Sequence, residues 1–408
     1  MNVRPDVHPE AHAGVHPAVH PDVYRMALPT GALELTINAS AFPFDDIMGF
    51  AARDNAKRGF LFLSKVLGKH WPVRPSMMAT IHECLADAVP AMDGPLVFIA
   101  MAETAIGLGQ GVFEAWLRAN PGRDALFVHT SRYRVGEAPI IEFQEAHSHA
   151  PRQFLHLPPG ERERALLLGA KALVLVDDEA STGNTFLNLA DACRTLNPGI
   201  ERVHLATITN FMGAGATAAL SGRFGLPVTL GAPVSGEYTF EADALAPSGV
   251  DAQRFDPNAD RGASAGFGRY GLERPLAPPE ALAASLAAQI APADKILVLG
   301  TGEFMHSSYL LGAALERRGV DVMVQSTTRS PILTWGAVTN GLRFPDNYGE
   351  GVANFLYNVR RGQYEHVFIC HETAPNAALF ELAGALDARL FHFQTETHIE
   401  EVSEIFVR

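Results

Sequence analysis

The chain has 408 residues, 47% of them hydrophobic and 19% charged, with a formal net charge of -13. At about 150 residues per domain this implies two to three domains, and the apolar share excludes a wholly disordered chain. The acidic balance argues against nucleic acid and anionic membranes as partners, and no apolar run reaches the roughly 18 residues of a membrane span.

His8, His12, His16 and His20 recur every four residues among Pro5, Pro9, Pro17 and Pro21. The prolines break the helix that such a metal site would need, and nothing here builds a core. Residues 1–30 therefore read as a disordered tail, without the apolar stretch of a signal peptide. From residue 31 the chain alternates apolar strands with amphipathic helices. The strand-like runs are Leu96–Ile99, Leu126–Val128, Leu173–Val176 and Val203–Ala206. This predicts an α/β domain over 31–235, a parallel sheet with helices on both faces, binding its ligand at the carboxyl ends of the strands. Residues 236–290, rich in Gly, Pro, Asp and Ala, read as a connecting segment. A second α/β domain, 291–408, opens with Lys295–Leu299. Cys84, Cys193 and Cys370 are too scattered for a disulfide framework or a CxxC site, which suits a reduced cytoplasm.

Leu173 to Thr185 reads LVLVDDEASTGNT. A buried strand ends in Asp177 and Asp178, and a small, hydroxyl-rich turn leads into a helix at Phe186. Backbone N–H groups at such a turn form a site for a phosphate dianion, with Ser181, Thr182 and Thr185 adding hydroxyls and Gly183 allowing close approach. The two carboxylates repel phosphate and suit sugar hydroxyls or hydrated Mg2+. A ligand with ribose hydroxyls on one side and a 5-phosphate on the other is phosphoribosyl pyrophosphate (PRPP).

This segment resembles the thirteen-residue signature of type I phosphoribosyltransferases, in length and in order. Phe98–Ala105, followed by Gly107, Gly109 and Gly111, looks like the family's pyrophosphate loop, with a non-proline cis peptide near Ala102–Glu103. Val128–Arg134 is a strand end whose Arg132 or Arg134 would neutralise pyrophosphate. Glu142–His156 lies where the family places a mobile catalytic loop, and offers His147, His149, His156 and Arg152 as donors or acid. Zinc is not expected there, since no thiol or fourth ligand is near. Asn55–Phe62, Leu67–Val73 and Thr328-Arg329-Ser330-Pro331 resemble one subgroup, the phosphoribosyltransferase-like family with a C-terminal TRSP domain. That subgroup is associated with bacterial tellurite-resistance and stress gene clusters.

The resemblance, over residues 30–408, implies transfer from PRPP to an unidentified base-like acceptor, giving a nucleotide-like metabolite. Asp177, Asp178, Arg132, His147 and His149 would be catalytic. Asp177 and Asp178 would also hold Mg2+, and Ala102, Glu103, Thr104, Glu179, Ala180, Ser181, Thr182, Gly183, Asn184 and Thr185 would bind PRPP. Purine-salvage relatives carry an acid where this chain has Ser181, which lowers the case for hypoxanthine or guanine. Lys69 and His70 lie where relatives build a hood over the base; an ordinary helix C-terminus, where cations are favourable, is the alternative reading. The runner-up function is a PRPP-sensing regulator without turnover. A hydrolase or transferase centre at Cys370-His371-Glu372 is a third reading, disfavoured because adjacent side chains rarely converge.

The second domain reads as a degenerate copy of the first. Ala102-Glu103-Thr104 parallels Gly302-Glu303-Phe304, and His129–Arg132 parallels Ser326–Arg329. Phe143 to Leu155 parallels Phe344 to Leu356, and Val176–Glu179 parallels Ile369–Glu372. The acid pair and the Thr-Gly-x-Thr turn are gone, so a ligand there would be held by Gly300, Gly302, Ser326, Thr328, Arg329 and Ser330 without the same reaction. Asp346, Asn347 and Tyr348 stand where the first domain has its mobile loop. Gly300-Thr301-Gly302 lacks the third glycine of a dinucleotide fingerprint, which would fall at Met305. A homodimer or an intrachain pseudo-dimer is expected.

Overall fold

The computed structural model describes residues 17–53, 58–132, 134–144, 152–243, 262–349 and 351–402. The first half runs β1 (Pro17–Leu28), β2 (Gly31–Ser40), α1 (Phe44–Ile47), β3 (Met48–Arg53), β4 (Phe60–Ser64), α2 (Pro75–Asp87), β5 (Leu96–Ala100), α3 (Ile106–Ala119) and β6 (Ala125–Ser131). It continues through β7 (Ile140–Gln144), β8 (Arg152–His156), α4 (Glu161–Gly169), β9 (Ala172–Ala180), α5 (Asn184–Leu196), β10 (Arg202–Asn210), α6 (Ala214–Ala218), α7 (Leu220–Phe224), β11 (Val228–Gly231) and β12 (Val234–Ala242). The second half contains α8 (Glu280–Ala287), β13 (Lys295–Gly300), α9 (His306–Glu316), β14 (Asp321–Ser326), β15 (Ile332–Leu333), β16 (Gly341–Pro345), β17 (Ala353–Tyr357), β18 (His366–His371), α10 (Ala377–Leu386), β19 (Arg389–Phe393) and β20 (Ile399–Val402).

A ten-stranded sheet runs β1-β2-β12-β10-β9-β5-β6-β8-β7, with β11 also on β10. Its centre, β10-β9-β5-β6, is parallel. The runs Leu96–Ala100, Ala125–Val128 and Ala172–Val176 are apolar at consecutive positions because both faces are covered. Phe98 and Val174 point to α2 and α3, packing near Ile81, Val112 and Phe113, while Ile99 and Leu175 point to the α4 and α5 side, near Leu167 and Leu189. Such burial, at about 25 cal/mol per Å2, is the main force holding the layers together.

Two expected boundaries move. The tail boundary at residue 30 is wrong: β1 pairs antiparallel with β2 from Asp22–Ile37 to Leu28–Gly31. Tyr24, Met26 and Leu28 alternate onto the core, a period-two pattern that the proline–histidine spacing hides. Residues 1–16 lie outside the described residues. The first sheet also continues past 235, since β12 pairs with β2 from Val234–Ser40 to Ala242–Gly31.

The second sheet runs β14-β13-β18-β19-β20, and its first four strands are parallel. α8 and α9 cover one face through Ala283, Leu286, Leu311 and Leu315; α10 covers the other through Leu379, Leu382 and Leu386. Its order β14-β13-β18-β19 is that of β6-β5-β9-β10 in the first sheet. The registers match as well. Ala100 lies opposite His129 and Val176; Gly300 lies opposite Ser326 and Cys370. A hairpin stands at the same place beside each sheet: in the first, Phe143 pairs with Gln153 and Ser131 with Phe154, while the separate β16-β17 hairpin pairs Phe344 with Asn354 and is bridged to Thr328 through Phe355. The register sets Val176 against Cys370, one residue later than the sequence comparison placed it. The positions equivalent to Asp177 and Asp178 are therefore His371 and Glu372.

The halves also cover each other's sheet edges. Val73 exchanges backbone hydrogen bonds with Val324 of β14 (3.0 and 2.8 Å), and Ser326 N–H donates to Gly68 O (2.8 Å). Leu272 exchanges bonds with Phe127 of β6 (2.8 Å each), and His129 N–H donates to Gly268 O (3.3 Å). Neither β6 nor β14 is left as a bare edge over these stretches.

Candidate functional site

At the end of β9 the chain leaves the core at Asp177, Asp178 and Glu179, which are half-buried. The Asp177 carboxylate accepts the Asp178 N–H at 2.9 Å, an arrangement that fixes the pair at the strand end. Gly183 precedes α5 with φ +73°, a left-handed conformation that glycine adopts without cost. Arg223 of α7 braces the turn from outside, donating to Thr182 O (2.8 Å) and Asn184 Oδ1 (2.7 Å). Thr182 and Asn184 are exposed, and Ser181 and Thr185 half-buried. The turn thus places hydroxyls at the N-terminus of α5, where the helix dipole favours an anion, with the Asn184 N–H donating to Thr182 Oγ1 at 3.4 Å. Glu179 points elsewhere: Arg58, stacked over Phe60 (4.9 Å), pairs with it at 2.5 Å.

The loop after β5 stands beside this turn, since β5 and β9 are neighbours. Its Ala102–Glu103 peptide is cis, at the expected position. Ala102 N–H donates to Thr130 Oγ1 (2.8 Å), and Ala102 O accepts from Arg132 Nη2 and Gln153 Nε2 (3.3 Å each). Glu103, 8% exposed, is engaged inside the protein. Its carboxylate meets Lys69 Nζ at 2.6 Å and Arg329 Nε at 2.9 Å. Burial opposes its ionisation, but Lys69 and Arg329 outweigh that and hold it at about 2. Thr104 is half-buried. Gly107, Gly109 and Gly111 do not belong to the loop. They lie buried within α3, where Gly109 lets the helix approach β5, Gly111 lets it approach His82 of α2, and Gly107 faces Met305.

Arg132 follows β6, and its backbone N–H donates to Glu303 Oε1 (3.0 Å). His147 and His149 lie outside the described residues. His156 is not placed as an acid. It is buried, Nε2 accepts the Val135 N–H at 3.0 Å, and burial followed by Arg269 lowers its pKa to about 4. Lys69 serves the Glu103 loop rather than a hood, also donating to Gly302 O (2.8 Å). His70 is a buried imidazole held neutral, its pKa lowered to about 3 by burial and then by Arg53 and Lys69.

Among the described residues, no group of three or more His, Cys, Asp or Glu side chains is placed to hold a metal ion. Mg2+ asks less: one or two carboxylates plus substrate phosphates suffice, and Asp177 and Asp178 fit that need.

Two family descriptions match in succession. Phosphoribosyl transferase matches residues 47–237, and the TRSP domain C-terminal to that transferase matches 266–386. The chain belongs to this two-domain family. No curated protein matches its sequence. Similar solved structures include the adenine phosphoribosyltransferase of Rhodothermus marinus (13% identity, 46% of this chain and 94% of that one, TM-score 0.30). Another is the adenine phosphoribosyl transferase of Trypanosoma brucei in complex with AMP, pyrophosphate and ribose-5-phosphate (13% identity, 46% and 77%, TM-score 0.32). A third is the orotate phosphoribosyltransferase of Francisella tularensis (17% identity, 38% and 66%, TM-score 0.24).

The TRSP unit brings its candidate residues together at the boundary with the transferase unit, bonded to protein. Gly302 N–H donates to Thr327 Oγ1 (2.9 Å), and Gly302 O accepts from Ser326 Oγ (3.2 Å). Thr328 Oγ1 accepts the Ser330 N–H (3.2 Å), and Ser330 O accepts from Tyr357 (2.8 Å). Arg329 reaches Glu103. Cys370, His371 and Glu372 do not converge. Burial raises the Cys370 thiol, His371 Nδ1 is bonded to Thr373 O, and Glu372 is held by Arg269. Two functional-site neighbours, Arg269 and Arg223, escaped the sequence reading, and Arg58 entered it only as part of the Asn55–Phe62 resemblance, without a role. Arg269 had a weak signal, a cation set between Gly268 and Gly271 in a glycine-rich stretch.

Proposed function

We propose that this protein is a PRPP-dependent phosphoribosyltransferase that displaces pyrophosphate from ribose C1 with a base-like acceptor. One observation carries the reading: a turn of hydroxyls at the N-terminus of α5, preceded by two carboxylates, stands beside the Ala102–Thr104 loop on the neighbouring parallel strand. The 5-phosphate seats in the Ser181–Thr185 turn. Asp177 and Asp178 take the ribose hydroxyls and favour the cationic character that C1 gains as its bond to pyrophosphate breaks. The pyrophosphate leaves with the bonding electrons toward Ala102–Thr104 and Arg132, while the acceptor's lone pair forms the new bond to C1 and the acceptor gives up a proton. Phosphate binding remote from C1 supplies orientation. Asp177 and Asp178 would hold Mg2+, which when bound would supply charge neutralisation. Ser181 in place of an acid disfavours hypoxanthine and guanine as acceptors.

Full-length protein incubated with PRPP, Mg2+ and a metabolite extract is expected to release pyrophosphate. Asp177→Asn with Asp178→Asn is expected to lose this by at least about a hundredfold while staying folded. Full turnover in that double variant would refute the assignment. A PRPP-sensing regulator would instead bind PRPP in calorimetry and release no pyrophosphate with any acceptor. Three free thiols, Cys84, Cys193 and Cys370, support a reducing compartment, and among the described residues no helix is long and apolar enough to cross a membrane.

A further inference from the structure

We infer that residues from 262 onward are a second, non-catalytic copy of the transferase unit, fused as a permanent pseudo-dimer, whose Glu303 and Arg329 position the pyrophosphate groups of the first site. This rests on the phosphoribosyltransferase reading above. The copy is legible bond by bond, beyond the shared strand order. Thr130 Oγ1 accepts the Ala102 N–H at 2.8 Å, and Thr327 Oγ1 accepts the Gly302 N–H at 2.9 Å. Gly68 and Gly268 place their carbonyls on equivalent residues of β14 and β6. Each is followed by a buried cation that meets the carboxylate of its own unit: Lys69 meets Glu103 at 2.6 Å and Arg269 meets Glu303 at 3.1 Å. Equivalent segments thus lie on the opposite unit's edge, as in a dimer that exchanges strands. The copy begins inside the expected connecting segment.

The second pocket is closed from within. Glu372, at the position equivalent to Asp178, accepts both arms of Arg269 at 2.7 Å and the Tyr348 hydroxyl at 2.9 Å. Where the first unit has its phosphate turn, Asn376 accepts the Leu379 N–H with its own side chain and donates to Asn347 O. Asn347 in turn donates to Thr373 Oγ1 at 2.9 Å. A guanidinium and two amides stand where sugar and phosphate would go.

What still links the second copy to the first site is a buried cross-connection. Glu303 reaches out of the second copy to the Arg132 N–H (3.0 Å) and Ser131 Oγ (2.9 Å), fixing the end of β6 from which Arg132 departs. Arg329 reaches back to Glu103 on the first unit's cis-peptide loop (2.9 Å). Both contacts terminate on the groups assigned to pyrophosphate, and neither touches the Ser181–Thr185 turn. A positioning role therefore has a ligand-specific signature.

Calorimetry on the full chain with Mg2+ tests it, using PRPP, inorganic pyrophosphate and ribose 5-phosphate as separate probes. Glu303→Gln and Arg329→Lys are each expected to weaken pyrophosphate and PRPP by about tenfold, the weight of one misaligned charged contact, and ribose 5-phosphate by less than about twofold. Equal losses for all three probes, or none for pyrophosphate, would overturn the positioning role. If Glu303→Gln fails to fold, Arg329→Lys decides, because its side chain is partly exposed. Failure of the unaltered protein to bind PRPP or ribose 5-phosphate sinks the transferase reading and this one with it; normal binding with neutral variants sinks only this one.

Discussion

Glu103 shows how much one buried carboxylate organises. Two cations from distant parts of the chain converge on it, and Lys69 is itself 1% exposed. Removing one partner of such a group leaves charge in a poorly hydrated place, which typically costs 3–5 kcal/mol. Lys69→Met is accordingly expected to destabilise by about 3 kcal/mol, and adding Glu103→Gln to recover most of that. Urea titration of both singles and the double gives the coupling energy, and additive losses would refute it. The sign with pH follows. A carboxylate lowered from 4.5 to about 2 adds stability above its unfolded value, lost as pH falls from 4.5 toward 2. The sequence reading left Lys69 between a hood and a helix C-terminus because nothing local reveals a partner 34 residues away, or a carbonyl at Gly302.

Elements whose logic is local were legible, and those whose logic is tertiary were not. The β9 strand, its acid pair and the Gly183 turn follow from consecutive residues, and the structure places them as one unit. The glycines of α3 were misread because alternate glycines look like a loop in a list of letters. In the helix Gly109 sits against β5: a Cβ there would lie 2.5 Å from Ala100 Cβ and 3.3 Å from Val176 Cβ. Neither neighbour can rotate away. Gly109→Ala is expected to push α3 off the sheet at a cost of about 1–3 kcal/mol, the usual range for overpacking. Because α3 begins three residues after Glu103, the same change is expected to weaken pyrophosphate binding, read by calorimetry beside the thermal melt. A stabilised variant with unchanged binding would show that the helix has slack. Arg269 illustrates the other limit, since its two carboxylate partners, Glu303 and Glu372, are brought to it only by the second sheet.

At the scale of the molecule, the two units behave as one body because each completes the other. Sheet edges are exchanged, β15 pairs with β3, and α9 packs on α2 and α3. Histidine burial gives this a measurable consequence. Burial is the leading cause that lowers His70 and His82 to about 3, and His129, His156, His204 and His371 to about 4. Each stays neutral when folded and takes a proton once unfolded, so each adds stability above 6.5 that is lost as pH falls toward its folded value. A single such group contributes a slope of up to about 1.4 kcal/mol per pH unit. His70 lies against Tyr357, His82 packs edge-on against Tyr309 of α9, and Arg269 is the leading charge acting on both His129 and His156, so four of the six sit where the units meet. Stability is therefore expected to decline steeply from pH 6.5 to 4, with both units lost in one transition. Trp116 lies in the first unit's core and Trp71 packs against the second unit's. Acid titration of each tryptophan, with the other two replaced by Phe, should give coincident midpoints that match far-UV circular dichroism. Midpoints separated by a full pH unit would mean that the exchanged edges do not couple the two halves.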